Sequence, residues 1–417
     1  MDGNESSSQS HRNQSFSLND HNSHHQTPDA YVLCDDIVHY VMQFMESYFI
    51  VQSCMRVSKQ WFKIALSIPL SLRLNFQKLQ NAAKCANLTN LTSLDLNNFV
   101  CEELNGEEIL TSGCLALANS PYLQNLTHLN LSINTQLKRD HIKILATSSN
   151  MCKLSTLCIF LTYIGDEGMR AITEMKSLTS LKFGNNSISL EGVKHVTTMS
   201  KLTELEVLHL DLNVVKTHQC LNVIANSEKM NNLTKLTLYK SGITAEQVRS
   251  LTTSHHMKQL TYLELRGNNI RDSGIISIAK SEFMKNLTHL NVSTCMISDT
   301  GAISLTLSSF MSQLRILNLS NEEGPSRQSE INTVGNEFIQ ALSKSECMQN
   351  LEELNLLDTK VNDVGAVSLS QSKILKRLKC LHLSEIGPET SHLILTSFPK
   401  IKFENLPRTA FDECLLM

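Results

Sequence analysis

The chain repeats a phrase close to Leu-x-x-Leu-x-Leu eleven times, and most successive copies start 27 or 28 residues apart. This period is too long for a hairpin and too short for a domain, but it fits one strand followed by one helix. A unit of that size buries its apolar face only by stacking on copies of itself. The repeat therefore predicts a solenoid, an architecture that usually binds proteins along its extended surface. The copies start at Leu91, Leu126, Leu154, Leu178, Leu205, Leu233, Leu260, Leu287, Leu314, Leu351 and Leu378.

Each copy combines a strand pattern with a polar position and a helix start. Side chains alternate between the two faces of a strand, so Leu263 and Leu265 are expected to point inward. Small polar or thiol side chains at the ninth position of eight copies predict a buried hydrogen-bonding ladder where the strand turns away. An Ile or Val, three residues and a Gly then lead into a helix. The ninth-position residues are Asn134, Thr162, Asn186, Asn213, Ser241, Asn268, Cys295 and Thr359.

These copies resemble leucine-rich repeats of the ribonuclease-inhibitor type and the cysteine-containing type. Segments such as Ile164-Gly-Asp-Glu-Gly168 and Ile297-Ser-Asp-Thr-Gly301 are similar to the Ile-Thr-Asp-x-Gly phrase of the latter. The resemblance implies an α/β horseshoe over residues 72–400, with about 11 repeats plus caps. Leu72 and Leu74 are expected to form an incomplete capping strand.

Two copies contain acidic insertions at the same point of the repeat. The distance from the first Leu to the Ile before the helix is ten residues in clean copies, but eighteen from Leu91 to Ile109 and seventeen from Leu314 to Ile331. Both insertions therefore follow a strand on the same rim of the predicted solenoid. They either belong to the binding face or are tolerated surface insertions. Their acidic residues are Glu102, Glu103, Glu107, Glu108, Glu322, Glu323 and Glu330.

The outward strand positions predict a concave face that binds a protein substrate. Tyr239, Tyr262 and Arg266 fall on adjacent strands, and Tyr and Arg are frequent anchors of protein interfaces. A sheet face that is merely solvated is the alternative. The predicted substrate-binding residues are Lys182, His209, Asp211, Lys235, Tyr239, Tyr262, Glu264, Arg266 and His289.

Composition excludes several classes of function. The net charge of −3 and the absence of a single-sign stripe argue against nucleic-acid binding. Twelve cysteines lie singly, without any Cys-x-x-Cys, which favours a reducing compartment over a disulfide framework or a zinc site. No phosphate-binding loop, metal spacing or catalytic set departs from the repeat pattern. We therefore expect a cytoplasmic protein without cofactor, metal or enzymatic activity.

The N-terminal part of the chain divides into two segments. Residues 1–29 are polar and of low complexity, which predicts disorder. Residues 30–71 contain apolar residues at helical spacing on both sides of a short break, which predicts two or three small helices. Such helices cannot bury both of their faces alone, so they are expected to dock on the end of the solenoid or on a partner.

This helical segment resembles an F-box. The resemblance rests on Leu33 and Ile37, on the apolar pair Phe44-Met45, and on Val57-Ser58-Lys-Gln-Trp61. It departs from the family at Cys34, where Pro is usual, and at Asp36, where Glu is common. An F-box before leucine-rich repeats implies docking to a Skp-type adaptor; a helical cap for the array is the alternative. The implied adaptor-binding residues are Leu33, Cys34, Ile37, Val41, Met45, Val57 and Trp61.

Residues 401–417 form a predicted tail that ends in Cys414-Leu415-Leu416-Met417. Cysteine, two aliphatic residues and a terminal Met form the pattern for prenylation, here by a farnesyl group on Cys414. No polybasic run or second nearby cysteine accompanies it, and a single lipid chain gives only weak, reversible membrane binding. We therefore expect at most weak peripheral association with a membrane.

The sequence as a whole predicts the substrate-recognition subunit of an SCF-type ubiquitin ligase. The F-box would join the Skp-type adaptor and cullin core, and the repeats would hold a protein substrate near the transfer machinery. The main alternative is a repeat scaffold without a role in ubiquitin transfer. A less favoured one is a GTPase-activating protein of the leucine-rich-repeat kind, for which Arg139, after an early strand, is the candidate arginine.

Overall fold

The computed structural model describes residues 34–97, 106–184, 186–208, 219–321 and 331–406. Within these residues the chain forms one parallel sheet of thirteen strands that pair in sequence order, with helices between them. Because strand and helix alternate and the sheet does not close on itself, the molecule is an open α/β solenoid. The strands are β1 Leu70–Arg73, β2 Leu91–Asp95, β3 His128–Asn130, β4 Thr156–Phe160, β5 Ser180–Gly184, β6 Glu204–Leu208, β7 Lys235–Tyr239, β8 Tyr262–Glu264, β9 His289–Asn291, β10 Ile316–Asn318, β11 Glu353–Asn355, β12 Cys380–Ser384 and β13 Lys402–Leu406.

The α-helices fall into two groups. Among the described residues, four short α-helices precede the sheet, and a π-helical turn at Ile50–Cys54 joins the second of these helices to the third. Twelve further α-helices of the described residues follow strands of the solenoid. The helices are α1 Asp35–Gln43, α2 Ser47–Phe49, α3 Met55–Val57, α4 Lys59–Ala65, α5 Phe76–Ala82, α6 Gly106–Asn119, α7 Arg139–Ala146, α8 Gly165–Ile172, α9 Leu190–Val196, α10 Cys220–Asn226, α11 Ala245–Thr253, α12 Arg271–Ala279, α13 Asp299–Thr306, α14 Asn336–Leu342, α15 Asp363–Ser370 and α16 Pro388–Ser397.

Strands β1–β12 are in register through one leucine each, and Phe403 takes this position in β13. Leu263 on β8 pairs with Leu236 on β7 and with Leu290 on β9, and all three side chains are buried. Leu265 is also buried, while Tyr262 and Glu264 are only partly covered, as the alternation predicts. Strands β2–β12 correspond to the eleven predicted copies. β1 contains Leu72 of the predicted capping strand and ends one residue before Leu74, while β13 was not predicted. The sheet thus starts two residues before and ends six residues after the predicted range of 72–400.

The sixth strand corrects the predicted register. Leu205 pairs with Leu181 and Leu236, so it is the fourth residue of its copy and not the first. This copy therefore starts at Leu202, and the face-forming strand positions belong to Glu204 and Glu206. The sequence alone favours a start at Leu205 because Leu205-Glu-Val-Leu208-His-Leu210 also fits the repeat pattern.

The ninth-position residues that the structure describes are buried, and Asn268 shows the predicted hydrogen-bonding ladder. Among them, Thr162 Oγ1 has no hydrogen-bond partner, and Asn213 lies outside the described residues. The Asn268 side chain donates to the carbonyl oxygens of Leu238 (2.6 Å) and Leu265 (2.8 Å). Its Oδ1 accepts from the backbone N–H groups of Ser241 (2.9 Å) and Ile243 (3.0 Å). One side chain therefore satisfies buried polar groups of two successive repeats, as the sequence predicts.

Where an insertion interrupts a copy, another residue continues the ladder. Asn332, which follows the second insertion, donates from its side chain to Val292 (2.9 Å) and Leu319 (2.8 Å). Its Oδ1 accepts from the N–H of Cys295 at 3.0 Å. The Asn321 side chain, before the insertion, accepts from the Asn332 N–H at 2.7 Å. The ladder therefore runs past this insertion through an asparagine that is not at the ninth position.

A second ladder joins the helix starts of neighbouring repeats. Asp272 Oδ1 accepts from the N–H of Ser298 at 2.8 Å, and its Oδ2 accepts from the Ser298 hydroxyl at 2.6 Å. A Cβ added at Gly301 would lie 2.4 Å from Asp272 Oδ1 and 2.6 Å from the Ile275 side chain. The Gly of the Ile-x-Asp-x-Gly phrase is therefore needed because the Asp of the preceding repeat approaches it closely.

The N-terminal helices dock on the first strand of the solenoid. Val38, Met42 and Ile50 are buried, and α1 packs against α4. The Asn90 side chain donates to the carbonyl oxygen of Ala65 at 2.9 Å. The Ser71 N–H on β1 donates to the Ser47 hydroxyl at 2.8 Å. One face of the helical segment therefore continues the core of the array.

Candidate interaction surfaces

The opposite face of the N-terminal helices carries uncovered apolar side chains. Phe44 is 73% exposed, Val57 is 61% exposed and Ile37 is 52% exposed. The Tyr40 and Phe44 rings meet edge to face, with their centroids 5.0 Å apart. Large exposed apolar side chains grouped on one segment are typical of a protein-binding surface. The apolar patch consists of Ile37, Tyr40, Val41, Phe44, Tyr48, Phe49 and Val57.

The predicted adaptor-binding residues divide between this patch and the core. Cys34, Ile37, Val41 and Val57 are exposed. Met45 and Trp61 are partly buried against the core, so they support the segment more than they present a surface. Leu33 lies outside the described residues.

Four patch residues are absent from the predicted adaptor set: Tyr40, Phe44, Tyr48 and Phe49. The signal was present in the sequence, because positions 37, 40, 41, 44 and 48 follow helical spacing along one stripe. Val38 and Met42 follow the same spacing on the buried stripe. Two apolar stripes on one short helix can be assigned to inside and outside only once its neighbours are placed.

A second candidate surface lies on the exposed face of the sheet, around Tyr262. The Lys235 Nζ lies 4.8 Å from the centroid of the Tyr262 ring, and the His289 ring lies 5.5 Å away. The Tyr262 hydroxyl donates to Glu264 Oε2 at 2.9 Å. These contacts join three adjacent strands, since Lys235, Tyr262 and His289 pair directly across β7, β8 and β9.

Tyr239 forms the adjoining part of this cluster. The guanidinium carbon of Arg266 and the Nζ of Lys240 each lie 5.2 Å from the centroid of its ring. Cations at this distance from an aromatic ring are attracted by its quadrupole. The structure therefore brings together six of the nine predicted substrate-binding residues. This sheet-face cluster is Lys235, Tyr239, Tyr262, Glu264, Arg266 and His289.

The other three predicted residues lie elsewhere. Lys182 is on β5, three strands away from Tyr262, beside Ser180 and Glu204. The Ser180 hydroxyl donates to Glu204 Oε2 at 3.1 Å. His209 and Asp211 follow β6 in the sequence and lie outside the described residues.

Partial burial sets the charge state of the cluster. It lowers the pKa of His289, because desolvation disfavours the imidazolium, while the negative charge of Glu353 raises this pKa. The His289 ring is therefore neutral near pH 7 and stacks on Tyr262 as an aromatic group. The cluster combines two phenol rings, cations over their faces and one carboxylate, a composition suited to a protein surface.

Comparisons with known proteins agree with this architecture. Residues 256–279, 283–305 and 347–370 match a family model described as a leucine rich repeat. The chain carries leucine-rich repeats. No curated protein gives a significant sequence match to the chain.

Two solved structures similar to this leucine-rich-repeat chain come from different organisms. One is a chain of the yeast Rad7–Elc1 complex, with 17% sequence identity over 88% of this chain and 92% of that chain, at a TM-score of 0.49. The other is the internalin InlF from Listeria monocytogenes, with 21% identity over 80% of this chain and 93% of that chain, at a TM-score of 0.43.

Of the remaining predicted sites, Arg139 and Glu107 are described, and they belong to neither surface. Arg139 is the first residue of α7, where its Nε lies 3.9 Å from Asp140 Oδ1. Glu107, at the end of the first insertion, lies 2.7 Å from Lys138 Nζ, and this hydrogen bond lowers the pKa of its carboxyl group. Cys414 and the acidic residues Glu102, Glu103, Glu322, Glu323 and Glu330 lie outside the described residues.

Three general expectations can be compared with the described part of the chain. There, no helix is long and apolar enough to cross a membrane. No group of three His, Cys, Asp or Glu side chains in these ranges could hold a metal ion. The ten cysteines that the structure describes are free thiols.

One of these cysteines, Cys380, belongs to a cluster with His382 and Glu404 that the repeat pattern did not predict.

Proposed function

We propose that this leucine-rich-repeat protein is the substrate receptor of an SCF-type ubiquitin ligase. The apolar patch of the N-terminal helices docks a Skp-type adaptor, which links the chain to the cullin core. The sheet-face cluster holds the protein substrate. The chain acts by bringing the substrate near the transfer machinery, so its contribution to the reaction is proximity and orientation.

One observation supports this proposal. The helical segment buries apolar side chains on one face and exposes apolar side chains on the other. Val38, Met42 and Ile50 fix the segment to the end of the solenoid. Ile37, Phe44 and Val57 remain uncovered, although burial of such side chains gives about 1.5–3 kcal/mol each. A helical cap alone would need only its inner face. The outer apolar face is the feature expected of a segment that binds a second protein.

The sheet-face cluster supports the second half of the proposal. Residues that anchor interfaces are usually Tyr, Trp and Arg held in a fixed orientation. Tyr239 and Tyr262 are held by the cations over their rings, and the Tyr262 hydroxyl is held by Glu264. These two rings are already ordered in the free chain, so a bound partner would lose little side-chain entropy in contacting them.

The direct test is binding of the full chain to a purified Skp-type adaptor, measured by co-purification and by calorimetry. The Ile37→Ser/Val57→Ser variant removes two exposed apolar side chains without disturbing the core. We expect it to weaken adaptor binding by at least about 100-fold, or about 3 kcal/mol. Leu307→Ser is the matched control, because Leu307 is 78% exposed at the end of α13, far along the array.

The outcomes separate the proposed function from its main alternative. Loss of binding in the double variant, with Leu307→Ser unaffected, supports the ubiquitin-ligase role. If the folded wild-type chain binds no Skp-type adaptor, residues 34–66 are a cap and the chain is an interaction scaffold. Equal loss in the control would show that binding is not specific to the N-terminal helices.

A further inference from the structure

A hydrogen-bonded chain of three reactive side chains lies at the C-terminal end of the sheet. Cys380 Sγ lies 3.0 Å from His382 Nε2, and His382 Nδ1 lies 2.8 Å from Glu404 Oε2. Cys380 and His382 are two residues apart on β12, so their side chains share one face. Glu404 is the direct partner of His382 on β13. The fold therefore brings nucleophile, base and carboxylate together from two adjacent strands.

The contacts of Glu404 determine where the protons lie. A hydrogen bond from Lys402, whose Nζ lies 2.7 Å from Glu404 Oε1, keeps the pKa of Glu404 below its ordinary value. The Glu404 carboxylate is therefore an acceptor, and His382 donates to it from Nδ1. With that proton on Nδ1, Nε2 is the ring nitrogen that can accept from the Cys380 thiol. This is the arrangement in which a base that is itself oriented can activate a nucleophile.

The thiol needs such a base. Burial raises the pKa of Cys380, and Glu353 and Glu404 raise it further, with Lys402 opposing them. The group is therefore a thiol at neutral pH, while the reactive species in cysteine chemistry is the thiolate. Without a proton acceptor, Cys380 would react more slowly than an exposed cysteine.

A cavity of about 170 Å³ opens beside the thiol. Ile316 supplies an apolar wall, and the cationic side chains of Arg315 and Lys379 line the same cavity. Glu352 joins these two cations, with 3.3 Å to Arg315 Nε and 2.6 Å to Lys379 Nζ. The space suits a small molecule with an apolar body and a polar oxygen. The remaining lining residues are His289, Glu353 and Cys380.

We propose that Cys380 is a covalent modification site for small neutral electrophiles of the α,β-unsaturated carbonyl class. Cys380 Sγ forms a bond to the β-carbon while His382 Nε2 takes the thiol proton. The electron pair of the carbon–carbon double bond moves to the α-carbon and the carbonyl oxygen, and His382 then returns the proton to the α-carbon. The addition needs no other reactant. A neutral electrophile is favoured because the charges that line the cavity balance, with Arg315 and Lys379 against Glu352 and Glu353.

The test uses the full chain and two neutral probes, acrylamide and N-ethylmaleimide, with site-resolved peptide mass spectrometry. Cys152 is exposed and serves as the reference thiol in the same molecule. We expect Cys380 to react at least as fast as Cys152 in the wild type. His382→Gln should slow Cys380 by about 10-fold or more, since a positioned base contributes about 100–10,000-fold. Cys152 should be unaffected.

Two further variants distinguish activation from a change in access. Glu404→Gln leaves Cys380 and His382 in place and should slow the reaction of Cys380 by less than His382→Gln does. Glu353→Gln removes a charge beside the thiol but no member of the hydrogen-bonded chain, so it should leave the rate unchanged or raise it. The proposal fails if the Cys380 rate is the same in the wild type and His382→Gln. It also fails if all three variants slow Cys380 equally, since the chain of contacts would then be structural.

Discussion

The N-terminal helices and the repeat array differ in how much of their apolar side-chain surface is buried. In the array, Leu263, Leu265 and Ile270 are fully buried, and ladders of Asn and Asp satisfy the polar groups between repeats. In the helices, Val38 and Met42 are buried while Phe44 and Val57 are more than half exposed. A repeat finds a partner for its apolar face in the next repeat, whereas the helical segment has a neighbour on one side. This difference is the basis for proposing a protein-binding surface at that end of the described chain.

The largest expected effect tests the two faces of the helical segment directly. Ile50→Ala should destabilise the N-terminal end by about 2–5 kcal/mol, because it leaves a cavity in a packed core. Phe44→Ala on the exposed face should change the free energy of unfolding by no more than about 0.5 kcal/mol. Hydrogen exchange of residues 34–97 measures both. Equal destabilisation would show that the outer face is also part of the core.

The next effect concerns the buried ladder in the array. Asn268→Ala should cost about 3 kcal/mol or more, since four buried backbone groups lose a hydrogen-bond partner. Asn291→Ala is the control, because the Asn291 side chain accepts a local hydrogen bond from the Ser293 N–H at the partly exposed face. Urea unfolding, with hydrogen exchange as the readout, measures the loss of stability in each variant. Similar losses for both variants would mean that the ladder carries no special share of the stability.

A smaller effect is expected at the close approach between repeats. In most helices Gly→Ala is stabilising, but at Gly301 the added methyl would lie 2.4 Å from Asp272 Oδ1. Gly301→Ala should therefore destabilise the array by about 1–3 kcal/mol, the usual cost of overpacking. Thr300→Ala, at an exposed position of the same helix, should be neutral. A stabilising Gly301→Ala would show that Asp272 can move away freely.

The smallest effect is a dependence on pH at α7. The His141 Nδ1 accepts from the Lys138 N–H at 3.0 Å, and burial lowers the pKa of this ring. The unfolded chain therefore binds a proton more readily, so stability should fall as pH drops below about 6.5. The slope from this group cannot exceed about 1.4 kcal/mol per pH unit, and it should vanish above about pH 7.5.

His141→Gln is the variant that isolates this slope. In α11, Gln247 occupies the equivalent position and accepts from the Thr244 N–H at 2.9 Å, so a glutamine can keep the cap. The variant should retain stability at pH 7.5 and lose the His141 contribution between pH 5 and 6.5. His128→Gln, at an exposed position on β3, should keep the wild-type slope. Chemical unfolding at several pH values is the measurement.

Much of the fold could be predicted from the sequence because the same leucine pattern recurs in every copy, so aligning the copies defines the register. The inward leucines, the ninth-position ladder and the helix starts all follow from aligning the copies. The prediction was wrong where one copy offered two registers, at Leu202 and Leu205. The stacking of β5, β6 and β7 decided between them, since Leu205 and not Leu208 lies beside Leu181 and Leu236.

The candidate sites depend more on tertiary structure. Strand alternation predicted that Lys235, Tyr262 and His289 face outward, and parallel pairing put them side by side. The exposed face of the N-terminal helices was not assigned, because both stripes of α1 are apolar. The contact of Cys380, His382 and Glu404 was not predicted, since Glu404 lies on β13, a strand without the full leucine phrase.

The sequence by itself determined that the chain stacks one strand and one helix per repeat, because no other arrangement buries a leucine pattern of this period. Tertiary structure alone decided which apolar residues stay uncovered and which polar side chains meet. The physical reason is that burial depends on neighbours that are distant in sequence. Tyr40 and Phe44 have the same helical spacing as Val38 and Met42, yet only the latter pair faces α4 and the core.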